Sequence, residues 1–252
     1  MATRHWSDLE GELDLWRAAG RRATLWWRDD DAVRPTPALD RLLALAAGLP
    51  LALAVIPDQA TGALAERVAN HPELHVLQHG WRHANHAPPD EKRAELGPHR
   101  PALAMLDELA AGRQRLALLF GSRARAVLTP PWNRMSEALV PLLRGAGFGG
   151  LSMAGARRAA EPSPGLRQVN THADLVAWRS GNFLGTAPAL GLITAHLAAR
   201  RTGTADADEP TGLLTHHLVM DDAGAAFIAQ LVDVTRRHKA ARWLDAAEAF
   251  AA

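Results

Sequence analysis

"ATLWWRDDDA", residues 23–32, is an apolar run that stops abruptly in three aspartates. The apolar part reads as a strand buried on both faces, the pattern of a parallel sheet covered by helices. Carboxylates crowded at the end of such a strand repel each other, and each is costly to desolvate. Asp29, Asp30 and Asp31 therefore ask for a partner of opposite charge. A second polar stretch, "QHGWRHANH" (78–86), supplies candidates, because His79 and His83 stand four apart directly after the strand-like "ELHVLQHG" (73–80). A third, "TGLLTHHLVM" (211–220), carries His216 and His217 in another strand-like run.

Strand and helix alternate between these stretches. "TPALDRLLALAAG" (36–48) offers Thr36 as N-cap, Pro37 at the first helical position and Gly48 as stop. "LALAVIP" (51–57) reads as a buried strand, 60–69 as a helix and Arg100 to Phe120 as a longer helix. "RAVLTPPW" (125–132) is a strand broken by its proline pair, and "SEALVPLLRGAGF" (136–148) is expected to be a helix despite Pro141. "GGLSM" (149–153) and "LRQVNTHADLVAW" (166–178) hold further short strands. A helix at about Ala189 to Arg200 precedes the polar linker "TGTADADEP" (202–210), and a last helix at 223–237 follows the strand-like 211–220. Ahead of all this, Ser7 and Glu10 have capping-box spacing for an amphipathic helix over about 7–19. About seven alternations without an internal linker predict one α/β domain over 1–252, a distorted (β/α) barrel of about seven parallel strands.

In such barrels chemistry sits at the C-terminal ends of the strands, which is where all three polar stretches fall. Taken alone, HxxxH is a weak motif and an aspartate run is more often solvated loop. Their common position favours a metal clamp of two imidazoles and one carboxylate, with coordination places left for water and substrate. His71, His75, His86, His99 and His172 share no such position and read as structural or surface residues.

Composition narrows the function further. With 28 Lys+Arg against 27 Asp+Glu the net charge is +1, which argues against a nucleic-acid partner. The chain has no cysteine, so disulfides, thiolate nucleophiles and cysteine-type zinc sites are excluded. The opening "MATRHWSDLEGELDLWRAAG" lacks a basic leader followed by an apolar core, and no stretch has the length and apolarity of a membrane span. The expectation is a soluble cytoplasmic protein, without a membrane partner. The oligomeric state is not legible.

The order of these motifs resembles the polysaccharide deacetylases of carbohydrate esterase family 4, over residues 24 to 218. The resemblance rests on Asp-Asp after the first strand, HxxxH, "TPPW" (129–132) and "LTH" (214–216). It implies a metal-dependent hydrolase of a non-peptide C–N bond that removes acetyl from an N-acetylated sugar or a related small amide. By the same resemblance His79 and His83 are metal ligands, His216 is the proton donor, and the Trp132 N–H faces the developing oxyanion. Pro131, Trp132 and Trp178 would border the substrate. The triplet leaves the aspartate register open. Asp30 as base with Asp31 as ligand is preferred, because Arg28 then lies two positions before the base on the same strand face. Asp29 as base with Asp30 as ligand is the alternative. The ion would be zinc, with cobalt or nickel as alternatives.

Two positions depart from the family. Its arginine before the prolines is Thr129, which Arg28 or Arg134 would replace. "DLVAW" (174–178) has Ala177 where the second aspartate of the family's Asp-x-x-Asp-Trp belongs, so His216 would draw its carboxylate from Asp174 or Asp221. Rival readings are an esterase or cyclic-amide hydrolase on the same barrel, and a carbohydrate-binding homologue impaired in turnover.

Overall fold

A computed structural model describes residues 5–251; the first four residues, which enter the leader expectation, lie outside it. The strands are β1 (Ala23–Ala32), β2 (Leu51–Val55), β3 (Leu74–His79), β4 (Ala124–Thr129), β5 (Gly150–Leu151), β6 (Arg167–Gln168), β7 (Ala173–Asp174), β8 (Val176–Ala177), β9 (Asn182–Phe183), β10 (Thr211–Thr215) and β11 (Ala241–Trp243). The helices are α1 (Trp6–Ala18), α2 (Pro37–Leu45), α3 (Gly62–Val68), α4 (Ala102–Phe120), α5 (Thr186–Thr202), α6 (Asp222–Arg237) and α7 (Ala246–Ala249). None of these helices is long and apolar enough to cross a membrane.

The main sheet runs β6-β5-β4-β3-β2-β1-β10-β7, all parallel, with β11 added beside β1. Its two end strands, β6 and β7, are nearly continuous in the chain. The segment 167–174 pairs with β5 through one part and with β10 through the other, so it curls the sheet into the expected distorted α/β barrel. An antiparallel hairpin of β8 and β9 follows.

Side-chain alternation builds two cores from the same strands. Leu25 and Trp27 of β1 face the helices, with Leu39, Leu42 and Leu43 of α2, Leu53 of β2 and Ile228 and Leu231 of α6. Trp26 faces the other way, with Ala52, Ala54, Leu77 and Val127. Its indole N–H donates to the Asn170 carbonyl at 2.9 Å and its ring meets Phe250 edge-on at 5.7 Å.

Caps set several helix starts as the residues dictate. Thr36 accepts from Leu39 N, and Asp221 caps α6 through Gly224 N. The opening helix begins differently from its expected cap: Asp8, not Glu10, reaches back, accepting from His5 N at 2.7 Å. The helix expected over 136–148 is only a 3-10 turn, Glu137–Leu142. Pro141 has no amide hydrogen for an α-helical ladder. The strand expected over 211–220 stops at Thr215, and His217–Val219 form a 3-10 turn.

Candidate metal and acid–base site

Alternation along β1 sends its three aspartates in three directions. Asp29 lies on the Trp27 face, toward the helices. Asp30 returns to the face of Trp26 and Arg28. Asp31 would follow Asp29, but a pairing irregularity between Asp29 and Ala32 and a φ of +75° at Asp31 break the period.

Each aspartate then has its own partner. Asp29 is fully buried; its Oδ1 accepts from His217 Nδ1 at 2.6 Å and its Oδ2 from Thr215 Oγ1 at 2.6 Å. Burial pushes the Asp29 carboxyl up, against the lowering pull of His217 and Thr215. Asp30 meets Arg28: Nη2 donates to Oδ2 at 3.0 Å, and Nε approaches Oδ1 to 2.9 Å, too obliquely for a hydrogen bond. The guanidinium, also buried, is held by Ser152 Oγ and Asn133 Oδ1, both at 2.7 Å. Arg134 makes no such contact, being exposed and donating to the Arg93 carbonyl.

Asp31 Oδ1 lies 3.2 Å from His79 Nε2 and 3.4 Å from His83 Nε2, with no hydrogen-bond donor satisfying it. Burial pushes the Asp31 carboxyl up, but the imidazoles around it, His79 foremost and then His83 and His216, hold it below the ordinary range. The protons on His79 are set by its other nitrogen. Nδ1 donates to the Thr129 carbonyl at 3.0 Å, so in the neutral ring Nε2 keeps a lone pair aimed at Asp31. Asp31, His79 and His83 thus fit a divalent cation in donor type, tautomer and convergence.

Backbone strain concentrates here. The non-glycine residues with positive φ among the described residues are Asp31, His83, Trp132 and Asn133, and all four belong to this site. Left-handed backbone at such residues is unfavourable and persists where its surroundings over-determine it. At the 80–84 loop the determinant is Glu95. Its carboxylate, 1% exposed, accepts from Trp81 N at 3.0 Å, Arg82 N at 2.7 Å and Ala84 N at 3.4 Å. Gly80, at φ +56°, leaves no room for a Cβ, which would sit 2.0 Å from Glu95 Oε2 and 2.6 Å from Pro131. Pro131, expected to border substrate, is instead buried against this loop. Trp132 is partly exposed, with its ring 4.3 Å from that of His83 and an N–H that makes no backbone hydrogen bond among the described residues.

His216 follows β10 directly and meets the β8–β9 hairpin. Its Nδ1 lies 4.0 Å from Asp174 Oδ1, and its ring meets Trp178 edge-on at 4.7 Å. Trp178, 58% exposed, is itself held by a 2.7 Å hydrogen bond from Nε1 to Asp174 Oδ2. Asp221, the other candidate partner, is taken up by Phe183 N and the cap of α6.

A second histidine–carboxylate cluster, His172, His196 and Glu209, lies at the start of β10, the opposite end of that strand from His216. His172 and His196 stack at 3.3 Å, and His172 Nε2 is 3.4 Å from Glu209 Oε2. Here the backbone decides against a metal. Gly212 N donates to His172 Nδ1 at 2.9 Å, so Nε2 must carry the proton and has no lone pair to offer.

Three parts of this site have no signal in the sequence. Glu95 lies twelve residues beyond His83 in a loop without periodicity. Asn133 is one step past the proline motif, and Ser152 directly follows β5. None carries a local pattern that singles it out.

No family model and no curated protein matches the chain. Solved structures do. One is a Mycobacterium smegmatis protein assigned to the polysaccharide deacetylases: TM-score 0.60, 16% identity, 97% of this chain and 90% of that one covered. Another is a family 4 carbohydrate esterase from Streptomyces lividans in complex with acetate: TM-score 0.54, 15% identity, 87% and 90% covered. A third is a mutant of a family 4 pseudoenzyme with restored enzymatic activity: TM-score 0.58, 10% identity, 91% and 68% covered. The fold is therefore that of the polysaccharide deacetylases of carbohydrate esterase family 4, at a large distance in sequence.

Proposed function

We propose that the protein is a metal-dependent hydrolase that removes an acetyl group from an N-acetylated sugar or a related small amide. The observation that carries this reading is the convergence of His79 Nε2 and His83 Nε2 on Asp31 Oδ1, with the His79 lone pair fixed by the Thr129 carbonyl. A divalent ion held by these three residues, zinc before cobalt or nickel, would supply Lewis acidity toward the acetyl carbonyl and acidify attacking water.

The remaining work falls to the chain's own groups. Asp30 takes the proton of the attacking water at its carboxylate, and Arg28, itself held by Ser152 and Asn133, keeps that carboxylate in one orientation. The Trp132 N–H donates to the oxygen on which negative charge develops. His216 delivers a proton to the leaving amine nitrogen. Trp132 and Trp178 offer flat walls for a sugar face.

This reading assigns the family's arginine role to Arg28 and makes Asp31, not Asp30, the metal ligand. One observation favours a second reading, binding without turnover. His216 Nδ1 is buried without a hydrogen-bond partner, because Ala177 brings no carboxylate and Asp174 stays at 4.0 Å.

The test is metal analysis of tag-free protein, followed by acetate release from N-acetylated sugars. One equivalent of metal in the wild type, and none in the His79→Ala, His83→Ala double variant, supports the site. Stoichiometric metal in that double variant overturns it. Metal without hydrolysis of any acetylated substrate selects the binding reading.

A further inference from the structure

Three consecutive residues step out of the site. Trp132 packs its ring on His83, Asn133 accepts from Arg28, and Arg134 turns away to donate through Nη1 to the Arg93 carbonyl at 3.1 Å. Arg134 thereby bridges to the loop that follows β3. Between residues 87–99 of that loop and Asn133, Arg134 and Met153 lies a cavity of about 330 Å³. The cavity shares Asn133 with the candidate site. A ligand whose acetyl group rests against Trp132 would have its neighbouring portion within reach of this cavity.

Cations outnumber anions in its lining, two to one. Glu91, Lys92, His99 and Arg134 border the cavity, and Glu91 is engaged by His99 Nε2 at 2.9 Å. Lys92 and Arg134 form no ion pair among the described residues. Arg134 commits one of its five donors, and its contact with the Arg93 carbonyl places the guanidinium without neutralising it. Two cations against one carboxylate in a concave setting favour an anion, and a planar guanidinium is matched to the two oxygens of a carboxylate. The floor beside them, Met135 and Met153, is apolar and adaptable.

We propose that this cavity is a subsite for an anionic group, first of all a carboxylate, carried by the substrate beside its acetyl group. The proposal rests on the deacetylase reading for the placement of the substrate. Its own content is that charge beyond the acetyl group selects the substrate, and Arg134 with Lys92 reads it.

Binding separates the two ideas because it needs no turnover. The probes are N-acetylmuramic acid (a carboxylate), N-acetylglucosamine 6-phosphate and neutral N-acetylglucosamine. Each is titrated at low salt into wild type and an Arg134→Gln, Lys92→Gln double variant. Wild type should bind at least one anionic sugar about tenfold more tightly than the neutral one, the worth of a charge-assisted contact. The advantage should shrink with added salt and vanish in the double variant, while affinity for the neutral sugar stays. Preference for the carboxylate over the phosphate identifies the guanidinium fork, and the reverse identifies a charge site; either supports the proposal. Equal affinity for charged and neutral sugars, no binding of any, or an advantage that survives in the double variant overturns it. An anionic preference that disappears in the variant, with no acetate ever released, keeps the subsite and discards the hydrolase.

Discussion

Asp29 and His217 form a buried pair at 2.6 Å on the helix-facing side of β1, one residue from the aspartate and the histidine that we assign to proton transfer. Asp30 faces the barrel interior and His216 faces Asp174 and Trp178, so each doublet divides between two tasks. The Asp29–His217 pair ties the end of β1 to the turn that carries His216. His217→Ala leaves the Asp29 carboxyl buried without its main partner, a loss on the order of 3 kcal/mol. His216→Ala should spare stability and metal content but lower kcat by about 10²–10⁴-fold, the range for a general acid. Urea unfolding, metal content and kcat on both single variants check this. A large kcat loss with unchanged stability in His217→Ala, and none in His216→Ala, would exchange the two roles.

Arg28→Met should be costly in a way that a second substitution repairs. It strands Asp30, which is 1% exposed, and frees Ser152 and Asn133 from their shared donor. Breaking such a pair from one side costs about 3–5 kcal/mol, whereas removing both charges costs much less. The Arg28→Met, Asp30→Asn double variant should therefore recover most of the lost stability while remaining inactive. Equal stability loss in the single and double variants would mean that packing of the arginine stem, not the ion pair, dominates.

Glu95 should act on metal affinity without touching the ion. Its three backbone hydrogen bonds hold the loop between His79 and His83 and help keep His83 at φ +59°. Support of this kind around ligands is typically worth about 10–100-fold in metal affinity. Glu95→Ala should weaken zinc binding by that factor in competition with a chelator, and Glu95→Gln, which keeps acceptors, should lose less. Unchanged zinc affinity in Glu95→Ala would show that the loop holds its shape by other means.

The barrel was legible in the sequence because its signals are local. Apolar runs end in polar residues, Thr36 and Pro37 start a helix, and Asp31, His79 and His83 each close or follow a recognisable strand. What was not legible depends on backbone course. The helix expected over 136–148 looked amphipathic, yet Pro141 leaves it a 3-10 turn. His216 and His217 seemed to alternate on one strand, but β10 ends before both, so another geometry parts them. Three adjacent aspartates could not be assigned until the irregularity after Asp29 set the direction of Asp31. The two histidine–carboxylate clusters are composed alike, and only the backbone group at Nδ1, a carbonyl for His79 and an amide for His172, tells them apart.

The second cluster has a consequence for pH. Burial, with the charges of His172 and Arg200, holds the His196 imidazole down to about 2 from its ordinary 6.5. His172 is lowered as well, by burial first, against the upward pull of Glu209. In the unfolded chain both rings protonate near pH 6.5, whereas in the fold both are shifted below it, His196 farthest. The unfolded state therefore binds more protons as pH falls, and linkage makes the fold less stable in that direction. The contribution is fully present above pH 6.5 and is lost progressively toward the folded value. While His196 stays neutral, it amounts to about 1.4 kcal/mol for each pH unit. His196→Gln keeps polar atoms near Thr211 and removes the titration, so urea midpoints should fall less steeply between about pH 6.5 and 4.5 than in wild type. Parallel midpoint curves for the two proteins would mean that His196 takes up its proton in the folded state, with Glu209 as the counter-charge.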